Sequence, residues 1–258
     1  MLKTLRVARI RGFACLVSLF RVSLLTASSI SVSTFAFGML VGESAARSQE
    51  KSVRPGINDS FRDPNVKEFV ERFEIESREV FSKRKEIVEA MRIERGSTVA
   101  DIGAGSGLFS RLFSDAVSSD GHVIAVDIAQ NFLDHIAKTS RESNRKNIQT
   151  LLCTAESTNL MNDSVDVAFI CDTYHHFEFP LKTMRSLHAA IKPDGRLFVI
   201  DFKRIEGETS EWTMNHVRAG QEVFEKEILS CGFKRVSEHK GILKENYFLQ
   251  FAKSKNQP

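Results

Sequence analysis

Val99-Ala100-Asp101-Ile102-Gly103-Ala104-Gly105-Ser106-Gly107-Leu108 decides the fold. An apolar run that ends in an acid and passes into a loop with glycine at alternate positions reads as a strand turning sharply into a helix. Glycine takes positive φ without penalty and lets backbone come close to a ligand. A dinucleotide fingerprint needs glycine or alanine where Leu108 stands, so the spacing is GxGxG rather than GxGxxG.

Outward from this turn, short apolar runs alternate with helical stripes. Strands are expected over residues 98–102, 122–127, 148–153, 165–172, 196–202, 233–239 and 247–252. Helices fall between them, one carrying Leu181, Met184, Leu187 and Ile191 and halted by Pro193-Asp194-Gly195. This is the pattern of an α/β, Rossmann-like doubly wound sheet of seven strands. Only Lys240 to Asn246 separate the last two strands, too little for a parallel crossover, so the final strand is expected to run antiparallel. Ahead of the sheet, apolar residues from Val66 to Met91 recur at helical spacing, giving N-terminal helices over 65–97 as a lid; residues 47–64 are polar and turn-rich, a linker.

In such a sheet ligands bind beyond the carboxyl ends of the strands. Asp101, Asp127, Asp172 and Asp201 each close a strand, so one rim gathers four acids. Each singly also fits a helix cap or a turn. A carboxylate rim repels a pyrophosphate and suits a ligand carrying an ammonium and a sulfonium.

The chain has 258 residues and a formal charge of +3, but Lys3, Arg6, Arg9, Arg11 and Arg21 lie in an N-terminal stretch without acids, which leaves residues 43–258 at −2. The basic excess is therefore not on the folded part, which argues against a nucleic-acid partner. Val22 to Gly42 is uncharged, and Glu43-Ser44-Ala45-Ala46 follows with small residues. Residues 1–46 are thus expected to be a signal peptide or a membrane anchor, with a transit peptide or a misassigned start codon as alternatives. The first two put the protein outside the cytoplasm or on a membrane, periplasmic if bacterial; a misassigned start leaves it cytoplasmic. Cys153, Cys171 and Cys231, the cysteines beyond that segment, form neither a disulfide framework nor a metal-ligand spacing.

Over roughly residues 65–252 the sequence resembles the class I S-adenosylmethionine-dependent methyltransferases of the broad small-molecule subgroup. The glycine turn carries the likeness, with Val123-Ile124-Ala125-Val126-Asp127, Val165-Asp166-Val167-Ala168-Phe169-Ile170, and the stretch from Leu187 to Leu197 that contains Lys192-Pro193-Asp194-Gly195-Arg196. The resemblance implies that Asp101, Gly103, Ala104, Gly105 and Gly107 hold the methionine part of S-adenosyl-L-methionine. It further implies that Asp127 accepts from the ribose hydroxyls and that Ile128 packs on the adenine. The adenine-amine contact falls near Thr154, with Glu156 the available acid.

After the fourth strand, Cys171-Asp172-Thr173-Tyr174-His175-His176-Phe177 is the stretch richest in reactive groups. Methyl transfer is an in-line displacement, for which a protein supplies alignment and, for an acidic acceptor, a base. His175 or His176 is expected as that base, Tyr174 as the group that positions or polarises the acceptor, and Asp172 as a further catalytic candidate of the same loop. Packing on the sheet and capping of the loop are the structural alternatives for the two histidines. The two histidines with Asp172 or Asp201 are the alternative of a metal set, but no metal is expected, because adjacent histidines normally project apart and the sequence shows no pattern of outer partners for them. His216, Arg218, Glu222, Lys244, Glu245, Asn246 and Tyr247 read as solvated face, with a place in the acceptor pocket as the alternative. The loop lacks the Asp/Asn-Pro-Pro-aromatic signature of enzymes that methylate nucleobase amines.

The function expected is methyl transfer to a small-molecule acceptor. The alternatives are a non-catalytic adenosylmethionine-binding protein and an NAD-dependent oxidoreductase, the latter opposed by Leu108 and the acidic rim. An exported methyltransferase would work away from the cytoplasm, where its methyl donor is made.

Overall fold

The computed structural model describes residues 51–254, so the expected leader at 1–46 lies outside the described residues. A 3-10 turn at Asp59–Phe61 leads into α1 (Val66–Phe73), α2 (Glu79–Ser82) and α3 (Arg84–Met91). There follow β1 (Thr98–Ile102), α4 (Leu108–Val117), β2 (His122–Asp127), α5 (Gln130–Glu142), β3 (Ile148–Leu152) and β4 (Val165–Cys171). A second 3-10 turn, Tyr174–His176, precedes α6 (Pro180–Ala190) and β5 (Ile191–Phe202), and α7 (Glu211–His216), α8 (Gln221–Ser230), β6 (Phe233–Glu238) and β7 (Asn246–Lys253) complete the described residues.

The seven strands form one sheet in the order β3-β2-β1-β4-β5-β7-β6, and β7 runs antiparallel to both of its neighbours. This is the doubly wound sheet expected from the sequence. Period-2 alternation buries both of its faces. In β1, Ala100 and Ile102 join a core with Met184 and Leu187 of α6 and Phe224 of α8, while Val99 joins another with Ile87 and Met91 of α3 and Phe113 of α4. Burying a side chain such as Phe113 contributes about 1.5–3 kcal/mol.

Besides shifts of one residue at several strand ends, two boundaries differ from the sequence reading. Helix α6 stops at Ala190, because Ile191 is extended and pairs with Val165; the chain is already in β5 when it reaches Pro193, and a residue before proline disfavours the helical region. Residues 53–61 are no linker. Val53 donates its N–H to the Glu178 carbonyl at 2.9 Å, and the Asn58 amide donates to the His176 carbonyl at 3.0 Å. Of the helices expected as a lid, α3 belongs to the core, and only the segment from α1 to Arg78 roofs the sheet edge.

Parallel strands leave β1 toward opposite neighbours, β2 on one side and β4 on the other, so a crevice opens where the loops after β1 and β4 part. Ile102 pairs with Ile170, which brings Asp172 and Thr173 beside Gly103, and Cys171 pairs with Ile200, which brings Asp201 alongside.

Candidate active site

At this crevice the structure has a cavity of about 580 Å³, within the range usual for small-molecule sites. From β1 and its turn come Asp101, Gly103, Ala104 and Gly105; from the end of β2, Asp127 and Ile128; from the loop after β4, Asp172, His175 and His176. Three sequence candidates do not line it. Gly107 is the N-cap of α4, with φ +76°, and a β-carbon there would meet Ile136 at 2.7 Å. Glu156 turns to Lys182, 2.8 Å away, while neighbouring Thr154 and Ala155 face the cavity. Tyr174 is fully buried and donates its hydroxyl to Glu227 at 3.1 Å; one helical turn of 3-10 geometry directs it into the core beside Phe224 and sends the histidines to the site.

Asp127 fastens the glycine loop. Its Oδ2 accepts the Gly105 N–H at 2.9 Å and its Oδ1 accepts the Ala129 N–H at 2.9 Å. Each carboxylate oxygen keeps a lone pair for a ligand hydroxyl. Asp101 accepts from the Ser110 hydroxyl at 2.6 Å; burial, reinforced by the Asp127 charge, lifts its pKa to about 7. Burial also raises Asp127, against the pull of its backbone donors. Gly103 takes φ +72°, and a β-carbon would lie 2.2 Å from Thr173, so this glycine is demanded by the approach of the β4 loop.

The roof is aromatic. Phe73 of α1 sits over Gly105, close enough that a β-carbon on Gly105 would lie 3.3 Å from its ring. Both carboxylate oxygens of Glu74 accept from Nη2 of Arg111 of α4, at 2.7 and 2.8 Å, and Arg78 pairs with Asp172, whose other oxygen accepts from the Asn246 amide at 2.6 Å. Asp172 therefore stands in an ion pair beneath the roof, its pKa raised by burial and pulled down by Arg78.

At the far end three imidazoles converge. The rings of His175 and His176 lie 4.3 Å apart, and each is 5.1 Å from the ring of His216, which arrives from α7. The expectation that adjacent histidines project apart fails because the 3-10 turn tilts their rings only 43° from each other. His175 Nδ1 bonds Asp201 at 2.8 Å. Burial and the neighbouring imidazoles push His176 down to about 2 and His216 to about 4, so neither is a base poised near neutrality. His175, oriented by a buried carboxylate, is the member of the pair arranged to take a proton.

Sequence reading did not find Arg78, Trp212 or Phe61 in this site. Arg78 lies in a heavily charged helical background, and Phe61 falls in a segment whose composition signals a linker.

Comparison with known proteins follows the same architecture. A family model described as a methyltransferase domain matches residues 100–199. A demethylmenaquinone methyltransferase of Listeria welshimeri is 25% identical over 118 residues, covering 46% of this chain and 50% of its own length. A ubiquinone/menaquinone biosynthesis C-methyltransferase of Citrobacter koseri is 29% identical over 122 residues, covering 45% and 47%. The chain thus spans about half the length of the curated relatives it matches. Among solved structures, an S-adenosylmethionine-dependent methyltransferase from Aquifex aeolicus has a TM-score of 0.65 at 21% identity, covering 73% of this chain and 98% of that one. The [4+2]-cyclase SpnF has a TM-score of 0.57 at 14% identity, covering 67% and 81%. Fold alone therefore does not name the reaction.

Proposed function

From a chain that carries a class I S-adenosylmethionine-dependent methyltransferase domain, we propose an enzyme that transfers a methyl group to a small-molecule acceptor held beside the histidine cluster. The observation that carries this reading is one cavity joining two unlike ends: a glycine loop tied to Asp127 at one, three imidazoles at the other.

The residues fit the cofactor. Asp101 and Asp127 offer buried carboxylates to an ammonium and to ribose hydroxyls, Ile128 stands exposed at the cavity edge for the adenine face, and Phe73 covers the loop. Adenosylmethionine bound there supplies a methyl group on a sulfonium. The chain's own part is alignment: the roof excludes water, Asp127 fixes the loop, and His175 is placed to receive an acceptor proton. Glu156 keeps the adenine-amine role only if its pairing with Lys182 opens. Tyr174 acts at one remove, through the turn that carries the histidines.

The aromatic wall formed by Phe61, Phe202 and Trp212 suits a flat ring, and the names of the relatives make quinone-type rings the first class to try. Calorimetric titration of the full chain with adenosylmethionine and with NADH, followed by transfer of labelled methyl to a panel of small acceptors, tests the proposal. Binding of adenosylmethionine with transfer supports it. Binding without transfer favours the non-catalytic alternative, and preference for NADH favours the oxidoreductase.

For residues 1–46 we propose a cleaved export signal, carried by the basic start, the uncharged Val22–Gly42 run and the small residues after it. Among the described residues no helix is long and apolar enough to cross a membrane. Mass determination of the amino terminus after expression in the native host decides between cleavage and retention as an anchor.

A further inference from the structure

We propose that His175, His176 and His216 form a binding site for one divalent transition-metal ion, Zn²⁺ foremost, open on its remaining side to the acceptor end of the cavity. Each offers one nitrogen, and the three lie within 4.8 Å of one another. His176 Nε2 and His216 Nε2 are 3.3 Å apart. Two nitrogens bound at about 2.0–2.1 Å to a tetrahedral ion are separated by roughly 3.3–3.4 Å, so the His176–His216 pair already has ligand spacing, and His175 brings the third nitrogen within 4.8 Å of both. Imidazole ligands favour zinc, copper, nickel and iron over magnesium or calcium.

The outer groups have the form such a site needs. Metal-bound histidines commonly give their second ring nitrogen to a carboxylate. His175 Nδ1 does so to Asp201, which is fixed in turn by the N–H groups of Phe202 at 2.8 Å and His175 at 3.1 Å. This leaves Nε2 of His175 for the ion. The segment before α1 holds the other two in place: Arg54 donates to the carbonyls of Asn215 and His216, and Asn58 donates to the His176 carbonyl. The His216 ring stacks on Trp212 at 4.5 Å, and His176 meets Phe61 edge-on at 5.0 Å. Bulky contacts thus fix both side chains before any ion arrives.

Three protein ligands and an open position are the arrangement of catalytic rather than structural zinc. All three histidines line the cavity, so the open position faces the acceptor. Resting on the methyl-transfer reading, this selects acceptors with an ionisable oxygen or sulfur. The O–H or S–H proton leaves to solvent on coordination. The new C–O or C–S bond then forms as the sulfonium S–CH₃ bond breaks, and that electron pair stays on the cofactor's sulfur. In the loaded protein His175 is a ligand, and the ion takes over the task of holding the acceptor as an anion.

The test uses the full chain, untagged and stripped with a chelator, titrated with Co²⁺ alone and then with Zn²⁺. The expected result is one equivalent of Co²⁺ showing the intense visible bands of four-coordinate cobalt, displaced by Zn²⁺. His216→Ala and His176→Gln should each weaken Zn²⁺ by at least about 100-fold, beyond the 10- to 100-fold cost of losing an outer partner. Absence of a stoichiometric Co²⁺ spectrum in the wild-type chain overturns the site, as does an unchanged spectrum in both variants. Adenosylmethionine affinity is read on the same samples. Metal uptake without that affinity removes the methyl-transfer reading and keeps the ion site; the reverse removes the ion site alone.

Discussion

The Asp127 carboxylate holds the Gly105 N–H at 2.9 Å, so the end of β2 and the glycine turn after β1 move as one piece. The same side chain is thus a structural anchor and the proposed ribose acceptor. Asp127→Ala should weaken adenosylmethionine roughly ten- to hundredfold, the worth of one charge-assisted hydrogen bond, and also lower stability by about 1–3 kcal/mol, because the Gly105 and Ala129 donors lose their partner. Calorimetry and urea unfolding read the two effects separately. Loss of stability with unchanged affinity would leave only the anchor.

Gly103 and Gly105 should fail for different reasons. At Gly103 a β-carbon meets Thr173 at 2.2 Å, so Gly103→Ala should destabilise by more than the roughly 1–3 kcal/mol of positive-φ strain, and Thr173→Gly in the same chain should recover the excess. At Gly105 the neighbour is the edge of the Phe73 ring at 3.3 Å, so Gly105→Ala should shift the roof and weaken the cofactor more than it unfolds the chain. Thermal unfolding of the two single variants and the double variant is the check.

Asp101 makes stability depend on pH. Its folded pKa of about 7 lies above the ordinary 3.8, so its contribution to stability is fully present below about pH 4 and is lost as pH rises through 7. Asp127, also raised, adds in the same direction. The melting temperature should therefore fall over this window, and Asp101→Asn should flatten the fall. A cofactor ammonium favours the ionised form, so binding below pH 7 should release protons, measurable as a dependence of binding heat on buffer ionisation enthalpy.

Arg78 and Asp172 should behave as a coupled pair. Removing Arg78 leaves a buried carboxylate with Asn246 as its remaining side-chain donor, which should cost about 1–3 kcal/mol, and Asp172→Asn in the same chain should return part of that cost. A double-mutant cycle by urea unfolding measures it; additive single effects would show that the roof is held elsewhere.

What the sequence revealed is what local chemistry dictates. The glycine turn, the acids at strand ends and the antiparallel final strand follow from short stretches, since φ requirements, alternation and connection length act over a few residues. The site's other half is tertiary. His216 meets His176 across 40 residues, Arg54 reaches His216 across 162, and Arg78 reaches Asp172 across 94. No local pattern announces such pairs. Tyr174 shows the opposite error, because its place between Asp172 and His175 suggested the site, and the geometry of a single turn sent it to Glu227 instead.

The most direct measurement incubates the full chain with methyl-labelled adenosylmethionine and a panel of small acceptors that includes quinone-type rings, phenols and thiols, with Asp127→Ala as the control. Label should appear in an acceptor product with the wild-type chain, and at a rate at least about tenfold lower with the variant at limiting cofactor. Cofactor that binds with no label reaching any acceptor, or equal transfer by wild type and Asp127→Ala, would contradict the methyl-transfer reading.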